Sequence, residues 1–340
     1  MAYYGETVLL DALADLSEQA NKDLRAPAYG VTRAFNDNKR NVIQNYDTFQ
    51  KMEAEVDLRS TRIDYLNRST GTINSSRASD FTGQTDTSVS DTLTFVTYAR
   101  EFSIRDDVAR NNTQQASKML AYAIKNARLD IGASIEAAGL VVLEAYRNTV
   151  DVSSPMSTWN GASTYYNLVA NEDQDRYFNI IETEMGMRDY NGSLQIINYG
   201  TLNELVKWQA NQGSANSVNL TFQYGNKQFY TSNTITNSSD HVGTTYVCEE
   251  NSLALVDWIP AKNRIGLPKH AAFSFTSIPD PFGIFDTMAL GIQQKVESSA
   301  SYGGNSQDAV WHYELSLDVA FYIPTLTTGK LVNKYALSKT

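Results

Sequence analysis

Residues 113–147 read TQQASKMLAYAIKNARLDIGASIEAAGLVVLEAYR, and this stretch decides the fold. Leu120, Ile124, Ala127, Ile131, Ile135, Ala138, Val142 and Tyr146 follow at spacings of 4, 3, 4, 4, 3, 4 and 4. That period places them on one face of an α-helix. Asn111 stands ready as an N-cap, with Gln114 three residues on as its capping-box partner. At 1.5 Å per residue the helix is about 52 Å long, roughly three times the average. Gly132 and Gly139 interrupt it. Each costs about 1 kcal/mol against Ala, a cost tolerable where another segment packs close. A helix this long with one apolar face has to lie across a sheet or another chain. The charged e and g positions of a coiled coil are missing.

The candidate sheet comes near the other end. Residues 311–323, WHYELSLDVAFYI, are apolar at every second position: Trp311, Tyr313, Leu315, Leu317, Val319, Phe321 and Ile323. His312, Glu314, Ser316 and Asp318 take the alternate face. A strand of this length spans about 43 Å, close to the helix. The simplest use of both is to pack on each other. Residues 290–296 are placed to pair with this strand through the turn Gly303-Gly304-Asn305.

Outward from this pair the chain is uneven. Residues 6–24 predict an amphipathic helix, with Leu9, Leu13, Leu16, Ala20 and Leu24 on one face and Pro27 as its stop. Residues 28–50 show little periodicity and predict an extended arm. Residues 57–66 and 92–105 predict extended strands. Of the 26 residues between them, 67–92, 16 are Ser, Thr, Asn or Gly. Such a tract cannot bury enough apolar surface to offset its ordering entropy, so it predicts a long projecting hairpin. No proline stands between Pro27 and Pro155 to prevent pairing along it. After the long helix, 149–170 reads as loop, 173–188 as a helix with Phe178, Ile181 and Met185 on one side, and 194–198 as a buried strand. Residues 201–209 read as a short helix, and 218–224 and 227–235 as a hairpin around Gly225-Asn226. Residues 244–248 and 252–259 are further strands. The class is α+β.

Composition removes several functions. No apolar run is long enough to span a bilayer. The N-terminus carries no basic region followed by an apolar core, so no secretory signal is expected. The net charge is −10, with −3 on residues 1–147 and −7 on 148–340. A general nucleic-acid binder needs the opposite sign. The cluster Lys330, Lys334 and Lys339 reads as a solvated tail.

Catalytic and metal signals are weak. The single cysteine, Cys248, has no disulfide partner within the chain. The three histidines, His241, His270 and His312, lie outside any Gly-x-Ser-x-Gly elbow or metal-ligand spacing. Thr328-Gly329-Lys330-Leu331 lacks the upstream glycine and the following Ser or Thr of a phosphate loop. The pairs Glu182/Glu184, Asp106/Asp107 and Glu249/Glu250 point apart and do not suggest a glycosidase dyad. No enzyme activity, cofactor or metal is expected. The 20 tyrosines suit a carbohydrate-binding β-rich module, but the long helix does not belong in one.

The order of elements is specific: an arm, a polar two-stranded loop, a spine-like helix, a loop-rich α+β domain and a returning long strand. It resembles the major capsid proteins of tailed phages, the Hong Kong 97 architecture that encapsulin shells share. The strings that carry the resemblance are TFVTYAREFSI at 94–104, LQIIN at 194–198 with the helix after it, YGNKQF at 224–229, and the closing stretch 291–323. The resemblance implies an N-terminal arm (1–45), an extended β-hairpin loop (46–110), a peripheral domain (111–148 with 290–335), a mixed axial domain (149–289) and a tail (336–340). It implies self-assembly into pentamers and hexamers of an icosahedral head around double-stranded DNA, bound without sequence specificity. Portal, scaffolding and decoration proteins are the implied partners, and the virion is the location, with assembly in the host cytoplasm and no membrane. The alternative within the fold is an encapsulin-type shell packaging protein cargo.

Arg59, Arg62, Arg68, Arg77 and Arg100 are the candidate inter-subunit contacts, facing the acidic second half of a neighbour. Some relatives join a loop Lys to a neighbour's Asn. No Lys stands between Lys51 and Lys118, so no such crosslink is expected. No long helical leader precedes the arm, so a separate scaffolding protein is expected instead of a cleaved one.

Overall fold

A computed structural model describes residues 12, 28–43, 62–66, 88–105, 113–151, 156–169, 177–188, 190, 193–211, 228–258, 273–280, 282–285, 287–298, 307–325 and 330–339. Among them the chain runs α1 (Gly30–Val42), β1 (Arg62–Leu66), β2 (Ser88–Thr92), β3 (Val96–Arg105), α2 (Thr113–Tyr146), β4 (Thr158–Asn160), β5 (Tyr165–Val169), α3 (Tyr177–Met187), β6 (Ser193–Asn198), α4 (Tyr199–Asn211), β7 (Gln228–Ser232), β8 (His241–Glu249), β9 (Ala254–Trp258), β10 (Phe273–Pro279), β11 (Thr287–Ser298), β12 (Gln307–Tyr322) and β13 (Val332–Ser338). None of these helices is long and apolar enough to cross a membrane.

Helix α2 is one uninterrupted element of 34 residues. Leu120, Ile124, Ala127, Ile131 and Ile135 are buried in one core with Tyr313, Leu315, Leu317 and Val319 of β12 and with Met288 and Leu290 of β11. The helix therefore lies on the apolar face of the long strand, as the two periods predict. Past Gly132 its buried side turns towards α1, and Glu136, Gly139 and Leu143 are covered. The two glycines mark the close approaches. A Cβ at Gly132 would stand 2.5 Å from Arg128 Nη1 and 2.7 Å from the Tyr29 hydroxyl. One at Gly139 would stand 2.8 Å from Val31 Cγ1. Gly132→Ala is expected to lower stability by about 1–2 kcal/mol despite the gain in helix propensity, because overpacking outweighs it. Urea unfolding checks this. An increase in the midpoint would contradict the tight fit.

The five-stranded sheet has the order β10-β11-β12-β3, with β9 also on β12. β11 and β12 are antiparallel with Gln294 opposite Trp311, the expected pairing, and the Gly303-Gly304-Asn305 turn lies outside the described residues. β12 differs from expectation on its polar face. Ser316, Asp318 and Ala320 are fully buried, because Ile43, Ala254 and Val256 close a second small core with Ala320 and Tyr322 there.

The six-stranded sheet has the order β4-β5-β13-β8-β6-β7. Both its faces are covered. Tyr166, Ile181, Ile197, Val247 and Tyr335 join α3 and α4 in one core, while Leu194, Ile196, Tyr246 and Val332 face the main core on α2. This is why all six residues of β6 are buried. Sheet membership cuts across the expected segments. β9 and β10 join the sheet under α2, and β13 pairs with β5 and β8.

Two expectations need correction. Residues 30–42 form a helix, not an extended arm, with Val31, Ala34, Phe35, Asn38 and Lys39 buried. Residues 149–170 hold strands β4 and β5, joined through a turn in which Thr164 has a φ of 52°. β7 pairs parallel with β6, and the first half of the hairpin read at 218–235 lies outside the described residues. The helix read at 6–24 lies outside them too, except Ala12, which is helical and buried. The polar hairpin is seen at its base. β1 and β2 pair antiparallel from Arg62–Thr92 to Leu66–Ser88, as a sheet of their own.

Candidate functional site

Three charged side chains on α2 tie the rest of the molecule to it. The deepest is Arg128. Its side chain and that of Asp280 are both 0% exposed, and the fork donates from Nε at 2.6 Å and from Nη2 at 2.9 Å. Asp280 sits just after β10 and also accepts the backbone N–H groups of Phe282 at 3.1 Å and of Ile284 and Phe285 at 3.0 Å. The rings of Tyr29, Phe282 and Phe285 surround the guanidinium at 5.1–5.5 Å, a favourable seat for a cation. Burial pushes the Asp280 carboxyl up, but Arg128 and the backbone donors outweigh it and hold the group below its ordinary value.

About two turns along, Glu136 is 1% exposed. Its carboxylate accepts Val31 N–H at 3.0 Å, Thr32 N–H and Thr32 Oγ1 at 2.8 Å, and Ser232 Oγ at 2.6 Å. Tyr29, at the N-cap of α1, makes no side-chain cap. Glu136 therefore caps α1 from a distance, placing negative charge at its positive end, and holds the edge strand β7 as well.

Glu144 is the third. It accepts Lys334 Nζ of β13 at 2.6 Å, the Tyr246 hydroxyl of β8, and Arg147 Nε. Arg147 in turn donates to the carbonyl and hydroxyl of Thr164. The cluster joins the end of α2 to the six-stranded sheet. Burial pushes the Glu144 carboxyl up, and the Lys334 and Tyr246 hydrogen bonds with the Lys334 and Arg147 charges more than offset it, so it titrates below the ordinary value. A lowered carboxyl stabilises the fold fully above its unfolded value, near pH 4.5, and that contribution is lost as pH falls through the lowered one. Urea midpoints of the native chain are expected to drop below about pH 4.5, and Glu144→Gln to flatten part of that drop. Parallel pH curves for the two proteins would contradict this role.

The candidate contact residues divide. Arg59, Arg68 and Arg77 lie outside the described residues, and Arg62 is placed in β1 by its backbone. Arg100 is exposed on β3 but already has partners in its own chain: it pairs with Asp130 and donates to the Asn126 carbonyl at 3.1 Å. Arg128, Glu136, Glu144 and Asp280 were not legible as a set. The one signal, for Arg128 and Glu136 alone, is a charge next to the apolar stripe of 113–147.

His241, Glu182 and Glu184 are engaged within the fold. His241 Nε2 lies 3.1 Å from the Tyr165 hydroxyl, and its other ring nitrogen meets Ser238. Burial lowers its proton affinity. Glu184 accepts Ser157 Oγ and the Tyr335 hydroxyl at 2.6 Å each, whereas Glu182 accepts Ser193 Oγ. Cys248 is buried, and burial pushes its thiol up. Among the described residues no group of His, Cys, Asp and Glu is arranged to hold a metal.

No family model matches this sequence, and no curated protein matches it. Solved structures similar to the chain come from phages. One, from Mycobacterium phage Bobi, has 12% identity, covers 94% of each chain and has a TM-score of 0.47. The cyanophage A-1(L) capsid asymmetric unit has 12% identity over 82% of this chain and 89% of that one, with a TM-score of 0.48. The mature capsid of bacteriophage PhiM1 has 13% identity over 83% of each chain and a TM-score of 0.44. No residue role is carried over from them.

Proposed function

We propose that this chain is a tailed-phage major capsid protein of Hong Kong 97 type, assembling as pentamers and hexamers into an icosahedral head around double-stranded DNA. One observation carries this reading. The β1–β2 hairpin is a sheet apart from the two large ones, and between Leu66 and Ser88 it carries 21 residues rich in Ser and Thr. Its base is anchored by Ile63 against Ile43, Val256 and Ala320, whereas a tract of this composition has little apolar surface to bury and is intelligible when it straps another copy. Repetition over many copies turns weak contacts into a stable shell.

Arg59, Arg62, Arg68 and Arg77 are proposed as contacts to the acidic second half of a neighbour. Arg100 would have to share or exchange Asp130 to join them. Scaffolding, portal and decoration proteins are proposed as assembly partners, and the shell is proposed to form without a Lys–Asn crosslink. Sedimentation velocity tests the reading. The expected result is a discrete species of very high mass in equilibrium with small oligomers. A 37.8 kDa monomer at every concentration and ionic strength would refute it.

A further inference from the structure

We propose that Arg188 is an assembly contact whose guanidinium, stowed without an acceptor in the single chain, pairs with a carboxylate of a second copy. This rests on the shell reading and gives it a contact away from the hairpin. Arg188 follows α3, which ends at Met187. Its Nη1 and Nη2 are buried, and neither has a hydrogen-bond partner. The guanidinium lies over the ring of Tyr166 in β5, 4.8 Å from its centroid. An aromatic face attracts the cation but supplies no oxygen for its N–H groups. Glu184, one helical turn earlier, is the obvious local partner. Its two oxygens instead accept Ser157 Oγ and the Tyr335 hydroxyl, at 2.6 Å each. Arg128 and Arg147, by contrast, each hold a carboxylate, of Asp280 and Glu144. Charged donors withdrawn from water with nothing to bond cost the single chain stability that an acceptor returns. The two terminal nitrogens are the end of the fork that fits both oxygens of one carboxylate.

The surroundings have the composition of an interface. Met187, beside Arg188, is 62% exposed. Met156, next to the Ser157 that bonds Glu184, is 43% exposed. Gly186 is exposed, and a Cβ there would meet nothing within 4 Å. Met and Arg are enriched where proteins meet, and Arg is a frequent anchor of such contacts. Part of Arg188 itself reaches the surface. Its unbranched stem lets the fork turn outward from Tyr166 while the backbone stays in place.

The occupant follows from charge. A second copy carries 38 acidic residues against 28 basic ones, so its surface offers carboxylates. The same excess repels a nucleic-acid backbone. In a ring of copies each chain gives one such arginine and receives one, so a single contact repeats at every interface.

Two measurements on the full chain test this. The first is urea unfolding of the dissociated chain. Arg188→Met removes a charge that has no acceptor, so its midpoint is expected to equal or exceed that of the native chain. The second is the concentration at which the chain assembles, followed by light scattering. Arg188→Met is expected to raise it about tenfold or more, the scale of one charged hydrogen-bonded pair. Arg188→Lys keeps the charge without the fork and is expected to recover only part of that loss. A lower urea midpoint for Arg188→Met means that the fork serves its own fold. An unchanged assembly concentration means that it serves no second copy, and full recovery by Arg188→Lys means that the fork is not what is recognised. Each of these overturns the proposal while leaving the shell reading intact. So does inorganic phosphate if it raises the midpoint of the native chain and not that of Arg188→Met, since the site then takes a free anion. A full chain that never assembles overturns both.

Discussion

Asp280→Ala lowers the stability of the folded chain by about 3–5 kcal/mol, the scale of breaking a buried ion pair by removing one partner. The substitution strands Arg128, whose side chain is 0% exposed, and also orphans the backbone N–H groups of Phe282, Ile284 and Phe285. Each buried donor left unpaired adds its own desolvation cost. Arg128→Met is expected to cost less. Asp280 then keeps three backbone donors, which alone can hold a carboxylate charged, and methionine refills the space among Tyr29, Phe282 and Phe285. Urea unfolding of the three proteins measures the difference. If the two variants lose the same stability, the backbone cradle contributes nothing and the pair acts as an ordinary salt bridge. The lowered Asp280 carboxyl adds a sign to the test. Its contribution is intact above the ordinary aspartate range, near pH 4, and is lost as pH falls through the lowered value.

Glu136→Gln is expected to cost about 2–4 kcal/mol and to act mainly on α1. Four donors converge on the two carboxylate oxygens. An amide keeps one acceptor and turns an NH₂ group towards donors, so at least one buried N–H or hydroxyl loses its partner. Because α1 has no side-chain cap of its own, its first turn depends on this carboxylate. Hydrogen exchange should accelerate across Gly30–Val42 well before it does in the core of α2. Uniform acceleration over both helices would mean that α1 docks through Val31 and Phe35 alone, with Glu136 incidental.

These groups show how far the sequence can be read. The period of 113–147 defines α2 to within a residue, because eight apolar positions in register outweigh two glycines. The alternation of 311–323 gives β12 and the face it turns to α2. It does not give the burial of Ser316 and Asp318, which depends on β9 and Ile43 arriving from distant segments. Helix α1 escapes notice because its apolar stripe is only Val31, Ala34 and Phe35, and burial then continues through Asn38 and Lys39. β5 escapes notice because a five-residue run pairs with β13 about 170 positions away. Of the charged anchors, Arg128 and Glu136 each sit beside an apolar stripe residue, Ala127 and Ile135. Their partners, Asp280 and the N-terminus of α1, are set by tertiary approach, which no local pattern encodes.

The central claim is that copies of this chain tile a closed shell. Electron microscopy of the purified full-length protein tests it most directly. The account predicts regular hollow particles with five- and six-fold clusters of subunits, their hairpins lying on neighbouring copies. Isolated 37.8 kDa monomers under all conditions, with the hairpin folded back on its own body, would contradict it.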